Sequence, residues 1–270
     1  MPHARIVLTS AALAAAVGLT LGGCAAAGRP GGTSASDQSA SDDGGELAGD
    51  LRIFAAASLA AAFDELAARF EQRHPAVDVL PIAYDGSATL ATQLIEGAPA
   101  DVFAAADERT MQQVVDAGLA AAPVLFAGNT LVIAVPRDNP GGVKTIEDLG
   151  WSDTTVVLCA PQVPCGAATE TLLADNGVSV TPVSLEQNVT AVLTKIAAGE
   201  ADAGLVYATD ARASDEVRAV PAAGAERVVN RYPIAAMREA ANAAAAEAFV
   251  AYVRSDEAQA LLASLGFASP

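Results

Sequence analysis

The chain has few of the side chains that bind nucleic acid. Among its 270 residues, 15 are Lys or Arg and 32 are Asp or Glu, which gives a formal net charge of −17. Neutralising a phosphate backbone requires clustered Lys and Arg, so this charge argues against a nucleic-acid partner. A small anion is still compatible with it, because fixed dipoles a few ångströms away outweigh scattered, salt-screened carboxylates.

The sequence also lacks the motifs of nucleophilic and phosphate-transfer enzymes. It contains no G-x-S-x-G elbow, no Ser-x-x-Lys pair and no G-x-x-x-x-G-K-[ST] loop. His3 falls in an export signal, which leaves His74 as the one histidine for a Ser–His–Asp set or for a zinc site. We therefore expect no enzyme activity, no cofactor and no bound metal cation.

Residues 1–23 carry the pattern of a lipoprotein export signal. Arg5 precedes an apolar stretch over residues 6–21, and the box Leu21-Gly22-Gly23-Cys24 follows it. A transmembrane helix is the alternative, but the apolar run is short and rich in Ala and Gly. We expect a lipid on Cys24 that anchors the protein to the outer face of the cytoplasmic membrane. Residues 24–49 are then a flexible tether, because they have almost no large apolar side chains.

The rest of the chain, residues 50–270, predicts an α/β fold with mostly parallel strands. Short apolar runs, such as residues 51–56, 77–84 and 203–207, alternate with helical patterns. Residues 131–230 form a complete α/β unit inserted into the first one. The predicted architecture has a lobe I (residues 50–130 plus 231–270) and a lobe II (residues 131–230). Two crossing segments join the lobes, and a ligand cleft lies between them.

Two serines stand at the junction of an apolar run and an amphipathic helical run. They are Ser58, in A-A-A-S-L, and Ser87, in D-G-S-A-T. Each is predicted to be a helix N-cap, whose hydroxyl and neighbouring free N–H groups can bind an anion. The simpler reading is that both serines only cap helices. In an open α/β sheet the carboxyl ends of the strands face one crevice, which favours a shared site.

Three more positions could contribute to such a site, and each also has a plain structural reading. Cys165 lies in the turn V-P-C-G before a helix, Val189 follows Asn188 at the head of another helix, and Tyr207 ends an apolar strand. They could equally be a turn, a cap and a core aromatic. Cys159 lies six positions before Cys165, and in an exported protein the two could form a disulfide or remain buried thiols.

A series of motifs runs in order along about residues 50–267: F-A-A-A-S-L from Phe54, G-S from Gly86, G-A-P-A-D-V-F from Gly97, N-T-L-V from Asn129, V-P-C-G from Val163, N-V from Asn188, G-E-A-D-A-G-L-V-Y from Gly199 and Y-P-I from Tyr232. Together they resemble the molybdate-binding receptors of ABC importers. The resemblance implies a type II periplasmic-binding fold with a tetrahedral oxyanion in the cleft.

The resemblance also implies which groups contact the ligand. They are the hydroxyl and backbone N–H groups of Ser58 and Ser87, the backbone N–H groups of Cys165 and Val189, and the hydroxyl of Tyr207. Cys165 stands where the family has a small, alanine-like residue. Asp85 is a second departure, and its carboxylate would have to point away from the anion.

The chemistry of these positions favours an ion that only accepts hydrogen bonds. Molybdate is a dianion at neutral pH, so its best site holds donors and no acceptor. Phosphate keeps a proton and favours a site with a carboxylate, whereas none of the five positions is acidic. Molybdate, tungstate and sulfate therefore remain as candidate ligands. Cavity size must separate sulfate from molybdate, and tungstate is nearly the size of molybdate.

The resemblance thus implies a monomeric, lipid-anchored receptor that delivers molybdate or tungstate to a membrane permease. Within this class, the alternative is a receptor for another divalent oxyanion such as sulfate. Two other classes are an exported hydrolase with Ser58 or Ser87 as nucleophile, for which no base is evident, and a ligand sensor that docks to a membrane kinase.

Overall fold

The computed structural model describes residues 46–270. The predicted signal at residues 1–23 and the lipidation of Cys24 lie outside this range, as does most of the tether. The predicted end of the tether at residue 49 is wrong by two residues, because Ala48 and Gly49 pair with Ala76 and Val77 in a small parallel sheet. Within residues 46–270 no helix is long and apolar enough to span a membrane.

The described chain alternates strands with helices. The strands are β1 (Ala48–Leu51), β2 (Ile53–Ala56), β3 (Ala76–Val79), β4 (Ala83–Asp85), β5 (Val102–Ala104), β6 (Val124–Asn129), β7 (Leu131–Pro136), β8 (Val156–Cys159), β9 (Ser184–Glu186), β10 (Ala203–Tyr207), β11 (Val217–Val220) and β12 (Asn230–Ala236). The helices are α1 (Ala60–Arg73), α2 (Ser87–Ile95), α3 (Glu108–Asp116), α4 (Pro164–Asp175), α5 (Val189–Ala197), α6 (Ala208–Arg212), α7 (Ala243–Val253) and α8 (Asp256–Leu265). Short 3₁₀ turns cover Ala57–Leu59, Glu147–Gly150 and Ala225–Arg227.

Two five-stranded sheets form the centres of two lobes. One sheet has the strand order β4-β2-β5-β12-β6 and the other the order β11-β7-β10-β8-β9. The first uses strands from residues 53–129 and 230–236, and the second uses strands from residues 131–220. The chain therefore leaves the first sheet after β6 and returns to it at β12. This arrangement confirms the predicted α/β fold with two lobes.

The expectation of mostly parallel strands is wrong at the crossings. Strand β12 is antiparallel to β5 and β6, and β7 is antiparallel to β10 and β11. Strands β7 and β12 each enter their sheet directly from the other lobe, and each runs against the four other strands of that sheet.

Two of the predicted strands are each divided in the structure. Residues 51–56 break at Arg52, whose backbone N–H donates to the buried carboxylate of Asp101 at 2.7 Å instead of to a neighbouring strand. Residues 77–84 break around Pro81, which has no N–H for a sheet. The strand predicted at residues 203–207 is confirmed as β10.

A cluster of aromatic side chains extends the hydrophobic core of the first lobe to the segments that cross between the lobes. Phe63 lies 5.8 Å from Phe126 and 6.0 Å from Phe249, measured between ring centroids. Tyr232 on β12 packs on Phe126 at 6.3 Å and on Tyr207 of the second lobe at 5.9 Å. Both tyrosines are fully buried, so their hydroxyl groups lie where the two lobes meet.

Candidate functional site

One small cavity collects residues from both lobes at the ends of their strands. Its volume is about 20 Å³, far below the roughly 300–1,000 Å³ typical of pockets for drug-sized ligands. All five positions predicted to contact the ligand line it: Ser58, Ser87, Cys165, Val189 and Tyr207. The structure thus brings together residues that are up to 149 positions apart in the chain.

The serine hydroxyl groups do not cap helices, so that prediction is wrong. Ser58 lies inside the 3₁₀ turn that follows β2, and Ser87 is the first residue of α2 rather than its N-cap. The Oγ of Ser87 accepts the backbone N–H of Ala106 at 2.9 Å. Because this bond uses a lone pair, the hydrogen of the Ser87 hydroxyl is free to be donated into the cavity.

A chain of hydrogen bonds holds the Ser58 hydroxyl in place. The Oδ1 of Asn129 accepts the N–H of Thr130 at 3.0 Å, which fixes the orientation of its amide. Its Nδ2 then donates to Thr209 at 2.8 Å and to the Tyr232 hydroxyl at 3.5 Å. The Tyr232 hydroxyl lies 3.0 Å from the Oγ of Ser58, and either hydroxyl can donate this hydrogen bond. When Tyr232 donates, the Ser58 hydrogen is available to an acceptor in the cavity.

The second lobe presents two helix starts to the cavity. Helix α4 begins at Pro164 and α5 begins at Val189, so the N–H groups of Cys165 and Val189 lie in first turns, where no intrahelical acceptor exists. Asn188 caps α5 by accepting the N–H of Ala191 at 2.9 Å. Both helix starts also carry the positive end of the helix dipole, which favours an anion.

A disulfide between Cys159 and Cys165 ties the end of β8 to the start of α4. The turn inside this ring is compact, since the N–H of Val163 donates to the carbonyl oxygen of Ala160 at 3.0 Å. Gly166 follows in the helix, and a Cβ there would collide with the same carbonyl oxygen. The bridge and the glycine together hold the Cys165 N–H in one position.

The hydroxyl group of Tyr207 is buried in the wall of the cavity. The residue is 1% exposed and lines the cavity, and its hydroxyl has no hydrogen-bond partner within residues 46–270. Burial, with a further contribution from Tyr232, raises the pKa of the Tyr207 phenol well above its ordinary value, so it remains a neutral donor. A buried polar group without a partner costs about 1–3 kcal/mol, which is typical of a position reserved for a ligand.

The cavity contains no cationic side chain among its described walls. Asp85 is the charged residue there, and its Oδ1 accepts the N–H of Gly86 at 2.7 Å and the Nδ2 of Asn188 at 2.8 Å. Nearby, burial raises the pKa of Asp210 to about 7, against an opposing hydrogen bond from the Tyr207 backbone. Burial thus favours the neutral form of Asp210, which reduces the negative charge behind the site.

The two lobes contact each other across the cleft. Besides the bond between Asp85 and Asn188, the Nη2 of Arg109 on α3 donates to the backbone oxygen of Gln162 at 2.9 Å. The cleft is thus closed in this structure, and the five predicted residues are all 9% exposed or less. Over the described part of the chain, no group of three or more His, Cys, Asp or Glu side chains could hold a metal ion.

Sequence reasoning missed the residues that orient the hydroxyl groups. It assigned no role to Tyr232, Asn129 or the backbone of Ala106. Tyr232 is 174 positions from Ser58, and Asn129 is 103 positions from Tyr232. No periodicity or spacing indicates hydrogen bonds over such distances, so only the folded chain reveals them.

A closed cleft between two α/β lobes, with a small cavity walled by donors from both, defines a binding protein for a small solute. The chain belongs to the family of bacterial extracellular solute-binding proteins, whose sequence model matches residues 51–268. The family assignment agrees with the prediction of a receptor rather than a hydrolase.

Individual relatives agree with the predicted resemblance. The molybdate-binding protein ModA of Mycobacterium tuberculosis is 44% identical over 220 residues, which cover 81% of this chain and 84% of the relative. The periplasmic molybdate-binding protein of Azotobacter vinelandii shares the fold with a TM-score of 0.69 at 22% identity, covering 82% of this chain and 99% of that one. The sulfate-binding protein SubI of M. tuberculosis also shares it, with a TM-score of 0.71 at 20% identity and coverage of 82% and 86%.

The two buried tyrosines should respond differently to loss of their hydroxyl groups. Tyr232→Phe deletes a group bonded to Ser58 and Asn129, so we expect the free energy of unfolding without ligand to fall by about 1 kcal/mol. Tyr207→Phe deletes a hydroxyl with no partner among the described residues and should not lower it. Urea denaturation of both variants checks this, and a larger loss for Tyr207→Phe than for Tyr232→Phe would contradict the assignment.

Proposed function

We propose that this protein is the substrate receptor of an ABC importer, that it binds molybdate in the closed cleft, and that it delivers the ion to a membrane permease. One observation carries the proposal. Hydroxyl groups of Ser58, Ser87 and Tyr207 and first-turn N–H groups of Cys165 and Val189 surround a single cavity without a cationic side chain among its described walls. The similarity to ModA of M. tuberculosis supports the choice of ion.

The donor set matches an ion that carries no proton. The Ser87 hydroxyl accepts the Ala106 N–H, and the Ser58 hydroxyl shares a hydrogen bond with Tyr232, so each hydroxyl can donate its hydrogen to the ligand when Tyr232 is the donor to Ser58. A protonated oxyanion needs an acceptor in the site. Asp85 is the one carboxylate among the described walls, and its Oδ1 already accepts the N–H of Gly86 and the Nδ2 of Asn188. Molybdate therefore fits better than phosphate, and tungstate is proposed as a second ligand because it is nearly the same size.

Sulfate is the alternative within the same class. It has the same charge and shape as molybdate, and the fold is shared with a sulfate-binding protein. Neither the fold nor the donor set separates these two ions. The size of the closed cavity must do so.

The export signal and the box ending at Cys24 support an anchored receptor. We propose that Cys24 carries a lipid on the outer face of the cytoplasmic membrane and that residues 25–47 form the tether. The folded part, which begins at Ala48, would then stay near its permease as a monomer.

A thermal-shift panel tests the choice of ligand. With molybdate or tungstate at 100 times its dissociation constant, we expect the purified protein to gain about 2.7 kcal/mol of stability and to melt at a higher temperature. Sulfate and phosphate at the same concentration should give smaller shifts. An equal shift with sulfate or phosphate would contradict the proposed order of ligands.

Removal of either serine hydroxyl should weaken molybdate binding. Each of Ser58→Ala and Ser87→Ala deletes a hydrogen bond to a charged ligand, so we expect a loss of about 1.5–3 kcal/mol, measured by titration calorimetry. Ser264→Ala is the matched control, because that exposed hydroxyl bonds only to a carbonyl oxygen of its own helix, 2.7 Å away. Unchanged affinity in the Ser58/Ser87 double variant would place the ligand elsewhere.

Replacement of the predicted lipidation residue should release the protein from the membrane. In a bacterial host that processes lipoproteins, the unaltered protein is expected in the membrane fraction, with a lipid mass on its N-terminal peptide. Cys24→Ala should abolish both while leaving the molybdate affinity unchanged. A Cys24→Ala variant that remains in the membrane fraction would overturn the proposed anchor.

A further inference from the structure

We propose that Asp85 and Asn188 form a latch that holds the two lobes closed, so that they act as positioning residues of the binding site and not as ligand contacts. This inference rests on the proposed function, because it concerns how the same site retains its ion. It assigns a role to Asp85, the acidic residue that the family resemblance left unexplained.

The latch joins the ends of two binding segments. Asp85 ends β4 in the first lobe, directly before Gly86 and Ser87, and Asn188 is the N-cap of α5 in the second lobe, directly before Val189. The Nδ2 of Asn188 donates to the Oδ1 of Asp85 at 2.8 Å. Ser87 and Val189 are both proposed ligand contacts, so this bond fixes the distance between two walls of the cavity.

Both ends of this hydrogen bond are held by their own backbone. The Oδ1 of Asp85 also accepts the N–H of Gly86 at 2.7 Å. The Oδ1 of Asn188 accepts the N–H of Ala191 at 2.9 Å, which leaves Nδ2 as the atom that faces Asp85. The two side chains are therefore oriented before the lobes meet, and little rotamer freedom is lost when the bond forms.

The backbone of the two lobes also comes into contact at this point. A Cβ on Gly86 would collide with the carbonyl oxygen of Gln187, the residue before Asn188. Glycine thus permits the approach that brings Asp85 and Asn188 within hydrogen-bond distance. No larger residue at position 86 allows the same closure.

Away from the crossing segments, where Asn129 also bonds to Thr209, the latch is the stronger of the two polar contacts described across the cleft. The bond from Arg109 to the oxygen of Gln162 is solvent-exposed, and exposed contacts of this kind contribute little. The bond from Asn188 to Asp85 is partly buried and involves a charged acceptor, so it is expected to contribute more. Release of the ion requires this bond to break.

An exchange of the two side chains tests the latch. Asn188→Asp retains an N-cap oxygen for α5 but places a second carboxylate against Asp85. At pH 8 we expect molybdate to dissociate about tenfold faster from this variant. Asp85→Asn keeps the acceptor oxygen, so its release should be no faster than that of the unaltered protein. The double variant has the charge of the original pair and can form the bond in the reverse direction, so its dissociation rate should return to within about threefold of the original.

Hydrogen–deuterium exchange without ligand gives an independent measurement. Asn188→Asp should speed exchange in residues 83–90 of the opposite lobe, and the double variant should restore their protection. A role of Asn188 limited to capping α5 would affect residues 188–195 alone, and that result would overturn the latch, as would a double variant that releases molybdate as fast as Asn188→Asp. If the unaltered protein binds none of the oxyanions, the proposed function fails, and the exchange data still decide whether the latch exists.

Discussion

The site depends on N–H and O–H donors from two lobes, all of which face one small cavity. A helix start cannot pair its first N–H groups internally, so α2, α4 and α5 each bring unpaired donors to this point. Such dipoles are fixed by the backbone and lie closest to the ligand. They can therefore hold an anion in a protein whose formal net charge is −17.

These donors can bind an ion only when the backbone holds them in fixed positions. Close packing of two pairs of backbone segments provides this. Gly166 lies against the carbonyl oxygen of Ala160 inside the ring closed by the Cys159–Cys165 bridge. Gly86 lies against Gln187 of the other lobe. In both places a side chain would push apart the segments that carry the donors. The buried rings of Tyr207 and Tyr232 pack against each other where the chain crosses between the lobes.

Much of the architecture could be predicted because it follows from local pattern. The alternation of apolar and helical runs indicated an α/β fold, and the inserted unit indicated two lobes. The family resemblance selected five of the residues that line the cavity. Local sequence pattern led to wrong predictions where a distant group competes for the same hydrogen-bond donor or acceptor. The Ser87 hydroxyl turns to Ala106 instead of capping α2, and Arg52 donates to Asp101 instead of extending a strand.

The sequence by itself determined the export signal pattern, the acidic charge, the order of strands and helices, and the residue types at the site. Each of these follows from composition or from residues close together in the chain. Only the tertiary structure decided the hydrogen-bond partners of the serine hydroxyl groups, the antiparallel strands at the crossings, the Tyr207 hydroxyl that has no partner among residues 46–270, and the bond from Asn188 to Asp85. Those features depend on which distant atoms compete for each donor and acceptor. That competition exists only once the chain has folded and water has been removed from between the lobes.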